Sequence, residues 1–216
     1  MRWELWCYGI VVGGALAPVS MQIARASTGR SASSRMALMV TVSMWVTATC
    51  IFAQDWSALT TITWLVFLLV GEALALIDAQ ERRLPDALTL PLLALALLLL
   101  ALDATQHGWQ PLTRGIYGAF GLFATYLVLH LVSRGGVGMG DVKFAPAVGL
   151  LAAHQGWVQF AEAVLLAFVA GGIVSIWLLA SGRGSRKATL PFGPFMVFGI
   201  FAMLPLVDVL RPLIAS

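Results

Sequence analysis

Eight apolar runs, at roughly 4–23, 37–54, 57–78, 87–103, 112–133, 142–154, 157–180 and 190–209, fill most of this 216-residue chain. Only short polar connections separate them. A helix needs about 20 apolar residues to cross a bilayer, and in hydrocarbon the backbone must satisfy its own N–H and C=O groups. Runs of this length and spacing specify an all-α polytopic membrane protein of about eight transmembrane helices, a single integral membrane domain over residues 1–216. Composition agrees: 60% of residues are hydrophobic and 11% are charged, against about 25% charged in soluble domains. The sixth run is short for a span and reads as tilted, set in a thinned bilayer, or re-entrant. The first run has no clean small-residue cleavage site and reads as a retained helix.

The 13 basic residues orient the bundle. With eight spans and the N-terminus outside, ten of them (Arg25, Arg30, Arg35, Arg82, Arg83, Arg134, Lys143, Arg183, Arg186 and Lys187) fall in inner segments. Arg2, Arg114 and Arg211 remain outside. That asymmetry follows the positive-inside rule. The basic residues therefore set topology, and no run interleaved with aromatics suggests a nucleic-acid partner.

Several chemistries are absent from the sequence. Cys7 and Cys50 form no Cys-x-x-Cys, and His107, His130 and His154 form no His-Glu-x-x-His, so neither a zinc site nor any other metal or cofactor is indicated. No serine has a histidine neighbour in sequence or at matching depth. What needs explaining is acid beside membrane helices, which is costly without a reason. Asp78 ends the third run, and Asp141 follows Gly138-Met139-Gly140 at the start of the sixth. The topology places both at one membrane face. Two close carboxylates cannot both ionise easily, so one keeps a proton while the other acts as base. Such a pair can activate water against a peptide carbonyl and protonate the leaving amine. The glycines of 135–140 would let backbone approach an extended peptide. Equally, the segment could be a plain turn with Asp141 as helix N-cap. In Glu81-Arg82-Arg83-Leu84-Pro85-Asp86, either Asp86 caps the fourth helix or Thr89 does, with Pro91 then in its first turn.

Three segments resemble the type IV prepilin peptidase (leader peptidase) family. The first is Asp78 followed by Pro85-Asp86-Ala87-Leu88-Thr89-Leu90-Pro91. The second is Gly138-Met139-Gly140-Asp141-Val142-Lys143-Phe144, and the third is Leu190-Pro191-Phe192-Gly193-Pro194-Phe195. Their order and separations make the match specific, and the resemblance covers about residues 60–210, the expected catalytic core. It implies an aspartic membrane endopeptidase of the bacterial inner membrane, acting at the cytoplasmic face on type IV prepilins or on the pseudopilins of type II secretion. Cleavage is expected after a glycine that precedes an apolar helix. Asp78 and Asp141 carry over as the catalytic pair. Gly138, Gly140, Lys143, Pro85, Asp86, Pro191, Phe192, Gly193 and Pro194 carry over as substrate-binding residues or neighbours of the site.

One departure stands out. Many family members carry a cytoplasmic domain with Cys-x-x-Cys pairs between the first two helices, linked to N-methylation. Here that connection is residues 24–36 and contains no cysteine. This is the short form, and methyl transfer is not expected of it. Glu72, about two turns before Asp78, is either a buried hydrogen-bonded group or a tuner of the site. The eight tryptophans fall mostly near helix ends, as an interfacial belt would require. Two other classes compete: a non-catalytic assembly subunit that binds pilin helices, and a proton-coupled transporter, which would carry acids at mid-membrane on several helices.

Overall fold

The computed structural model describes the backbone of residues 3–133, 137–182 and 190–214, and the side chains of 7–133, 137–182 and 190–204. Gly135, Gly136, Arg134, Arg183, Arg186, Lys187 and Arg2 lie outside the described residues, as does the side chain of Arg211. The apolar runs form helices: Trp3–Thr28 (α1), Ser34–Ala53 (α2), Ala58–Glu81 (α3), Asp86–His107 (α4), Gln110–Val132 (α5), Met139–Gln155 (α6), Trp157–Ala180 (α7) and Gly193–Ile214 (α8). Six of these, α1 to α5 and α7, are long and apolar enough to cross a membrane. Among the described residues no strand occurs, so the protein is an all-α polytopic membrane protein.

Starts follow local chemistry where serine is available. Ser33 and Ser57 accept hydrogen bonds from the amides of Met36 and Thr60, capping α2 and α3. The fourth helix begins differently from either expected cap. Its N-cap is Pro85, in extended conformation, and Asp86 is the first helical residue, where its charge favours the helix dipole. Thr89 lies fully buried in the first turn and bonds the Pro85 carbonyl through its hydroxyl at 3.3 Å. Pro91 therefore sits inside the helix rather than in the first turn.

The central elements are α3 and α6. The first packs against α1, α2, α4 and α8, the second against α4, α5, α7 and α8. Half of the α3 residues and most of those of α6 are buried. The 17-residue α6 is about 25 Å long at 1.5 Å per residue. It gains its central place through near-contact of its backbone with α5. A Cβ at Gly118 would stand 2.3 Å from the Ala153 Cβ and 2.6 Å from the Gly149 carbonyl oxygen. Small residues that let membrane helices approach this closely are the usual source of their packing energy.

Tryptophan placement is mixed. Trp109, Trp157 and Trp177 are exposed near helix ends, as a belt requires. Trp64 departs from it: it is fully buried, stacks on Trp56 and meets Phe201 at a tilt in the core. No disulfide joins Cys7 and Cys50.

Polar contacts sort the helix ends into two sets. At one end, Arg30 and Thr28 bond Gln80, Arg83 bonds the Ser27 carbonyl, and Lys143 pairs with Asp86. At the other, Asp103 accepts from Ser57 and Thr60, and Arg114 donates to the carbonyls of Ala153 and His154.

The α5–α6 seam gives a direct test. Gly118→Ala should lower the thermal unfolding midpoint in detergent by several degrees, because overpacking of a tight contact costs about 1–3 kcal/mol. Gly121→Ala, three residues on where a Cβ meets nothing within 4 Å, should be neutral. Equal effects from the two would mean that the seam does not hold the helices.

Candidate active site

The first carboxyl belongs to Asp78, in the last turn of α3. That helix ends at Glu81, and Arg82 turns the chain away in left-handed conformation, its amide bonding the Asp78 carbonyl. The Asp78 side chain is buried, and its Oδ2 accepts a hydrogen bond from the Gly193 amide at 2.9 Å. Gly193 opens α8, so the carboxylate occupies a helix N-terminus, where unpaired amides and the dipole favour negative charge.

This contact accounts for the local Pro-Phe-Gly-Pro sequence. A Cβ at position 193 would lie 2.9 Å from Asp78 Oδ2 and 3.3 Å from its Cβ, so only glycine lets the amide come this close. Pro194 is the second helical residue, where a missing N–H costs nothing. Phe192 packs its ring against Tyr126, Phe168 and Phe195 and anchors the approach to α8. Pro191 belongs to the lead-in before the helix.

The second carboxyl belongs to Asp141, the third residue of α6. The N-cap is Gly138, so Asp141 is not the cap. It reaches back instead, with Oδ2 against the Gly138 backbone amide in the manner of a capping box. Its Oδ1 is buried without a hydrogen-bond partner. The two carboxyls are near enough for their charges to act on one another.

Gly140 has a separate reason. A Cβ there would meet the Leu84 Cβ at 2.9 Å and its amide nitrogen at 3.1 Å, so the α3–α4 connection lies directly on the first turn of α6. Lys143 Nζ spans the same junction to Asp86 Oδ2 at 2.6 Å. Both partners are substantially exposed, and such pairs contribute at most about 1 kcal/mol. Lys143 and Asp86 thus tie the first turns of α6 and α4 together, with Pro85 as the α4 cap.

Asp141 forms part of the wall of a cavity of about 260 Å³, with Tyr126, Val137, Phe168, Gly171, Leu190 and Phe192. Tyr126, Phe168 and Gly171 were not legible as site residues. Gly171 matters because a Cβ there would stand 2.9 Å from the Phe192 ring, and nothing local in Ala170-Gly171-Gly172 announces an aromatic partner on α8. The buried Tyr126 lies four residues before His130 on α5, and that place near the end of the helix was the one available signal. Chemically, one carboxyl held by an amide and another with an uncommitted oxygen, facing a cavity, can position and deprotonate a water molecule. Among the described residues no three His, Cys, Asp or Glu side chains gather as metal ligands.

Residues 62–176, more than half of the chain, match the type IV leader peptidase family. Relatives include the prepilin leader peptidase/N-methyltransferase of Pseudomonas putida, 35% identical over 138 residues that cover 61% of this chain and 46% of that protein. The protein of the same description from Burkholderia pseudomallei is 35% identical over 148 residues, 61% of this chain and 42% of its own length. That of Aeromonas salmonicida is 36% identical over 141 residues, 61% and 45% respectively. The chain thus spans less than half the length of these curated relatives. No solved structure matches it. The matched segment contains both carboxyls and runs from α3 into α7, and by it the chain belongs to the type IV leader peptidase family.

Proposed function

We propose that this protein is an aspartic endopeptidase that removes the leader of type IV prepilins or pseudopilins, with Asp78 and Asp141 as its catalytic pair. The observation that carries this reading is the pairing of two buried carboxyls at one end of the bundle. One is fixed by the Gly193 amide, and the other has a buried Oδ1 without a hydrogen-bond partner and belongs to a residue that lines a cavity. The pair shares one proton. The ionised carboxylate takes a proton from water as its oxygen attacks the peptide carbonyl carbon. The protonated partner hydrogen-bonds the carbonyl oxygen, then passes its proton to the leaving nitrogen as the C–N bond breaks. Gly138, Gly140 and the Pro191–Pro194 segment shape the approach, and the Lys143–Asp86 pair holds its rim.

The described basic residues support a cytoplasmic orientation in the bacterial inner membrane. Arg25, Arg30, Arg35, Arg82, Arg83 and Lys143 lie toward the end that holds the carboxyls, and Arg114 lies at the other. The same geometry supports cleavage without methylation. Because α1 continues to Thr28 and α2 starts at Ser34, their connection is residues 29–33, shorter than the sequence suggested. A segment so short cannot build a donor pocket, and such pockets enclose several hundred Å³.

Asp78→Asn and Asp141→Asn should each lower leader removal at least about 100-fold while the protein still accumulates in the membrane. Gly193→Val should lower it too, by displacing Asp78. A fully active Asp141→Asn enzyme would exclude the pair. With both native cysteines replaced by serine, single cysteines at positions 28 and 82 should react with an impermeant thiol reagent only after permeabilisation, and one at 107 from outside. The opposite pattern would invert the topology. Mass spectrometry of pilin processed by this enzyme with S-adenosylmethionine should show an unmethylated N-terminus, and a mass gain of one methyl group would refute that part of the reading.

A further inference from the structure

A second cavity, of about 640 Å³, runs between α2, α3 and α8. Its walls are apolar and open to the lipid: Leu38, Val42, Val46 and Phe198 are all more than two-fifths exposed. Leu38, Val42 and Val46 are spaced four apart, so they form one stripe along α2. Ala75 and Pro194 also line the groove. Ala75 lies one turn before Asp78, and Pro194 follows Gly193, so the groove reaches residues that adjoin the Asp78–Gly193 contact.

One group in this groove does not suit a lipid-facing surface. Glu72 is 7% exposed and lines the cavity, with Oε1 accepting from the Ser43 hydroxyl at 2.6 Å. The Ser43 hydroxyl thus holds one carboxyl oxygen of a residue that borders the groove. A carboxyl at membrane depth is expensive and is kept where something uses it. An acyl chain would use the apolar walls but offers a carboxyl no hydrogen bond.

The geometry points to this groove as the seat of the substrate's apolar helix, with Glu72 as a specificity residue that hydrogen-bonds a donor on that helix. The inference rests on the endopeptidase reading above. The occupant is a membrane-inserted apolar helix beginning just after the cleaved bond and carrying one hydroxyl, amide or ammonium group. Glu72 precedes Asp78 by six residues on α3, or about 9 Å along a helix at 1.5 Å per residue. The matching donor therefore lies roughly six residues beyond the cleaved bond if the substrate is helical from that point.

The test uses the full chain in lipid nanodiscs and pairs of prepilin substrates that differ only as threonine or valine, which are nearly isosteric. The pairs cover each of the positions from the fourth to the eighth after the cleaved bond. At one of them the unmodified enzyme should favour threonine by about ten-fold in kcat/KM, the worth of a buried hydrogen bond to a carboxyl, and chiefly through KM. Glu72→Leu should abolish that preference, and Glu72→Gln, which can still bond Ser43, should retain part of it. No preference at any position, or one that survives Glu72→Leu, overturns the inference while leaving the endopeptidase reading intact. Failure to cleave any prepilin overturns both. As a second readout, a photoreactive residue at position 46 in an Asp78→Asn background should cross-link to bound substrate. Cross-linking to lipid alone, with substrate present at saturation, would assign the groove to acyl chains and overturn the inference.

Discussion

A carboxylate among apolar helices is stable only if the protein supplies what water would have supplied, and the Asp78–Gly193 hydrogen bond does this with backbone alone. It sets the end of α3 against the start of α8. The closeness it needs excludes any side chain at position 193. From that contact the surroundings follow. Phe192 is carried into the aromatic cluster with Tyr126 and Phe168, which walls the cavity beside Asp141. Pro194 is carried to the mouth of the groove that contains Glu72. One backbone amide thus places a carboxyl, a cavity wall and a groove rim in register.

Asp141 reaches the same place by a different route. Its helix is short, and the α5 seam draws it into the interior, where the backbones of Gly118 and Gly149 nearly touch. At its first turn, Gly140 admits Leu84 and the connection after α3. The two carboxyls are therefore neighbours because two independent close approaches, at Gly193 and at Gly140, pull α8 and α6 onto one end of α3. Rigid positioning of this kind is what a hydrolytic pair requires, since proton transfer depends on reach before it depends on acidity.

Helix existence and order were legible in the sequence because span length and hydropathy are local quantities. Boundaries shifted where a cap decided them. Thus α1 runs on to Thr28, and α4 starts at Asp86, after Pro85, because proline's fixed backbone angle suits a cap although it offers no side-chain bond. The tryptophans show the limit of one-dimensional reasoning. Residues 109, 157 and 177 lie where a belt would put them, but Trp64, in an equally apolar context, is core. Whether a membrane helix turns a given face to lipid or to protein leaves almost no trace in hydropathy, because both environments are apolar.

The site divides along the same line. The sequence by itself determined an all-helical membrane fold, the two aspartates at matching depth, and the motifs around them, because each of these depends on residues near in the chain. Only the tertiary structure decided that Gly193 donates to Asp78, that Lys143 pairs with Asp86, that Tyr126 and Gly171 help to build the cavity, and that Glu72 lines a groove between α2, α3 and α8. Each of these joins helices far apart in sequence. They are set by the rotation and closeness of packed helices, and those depend on which small residues meet across each interface.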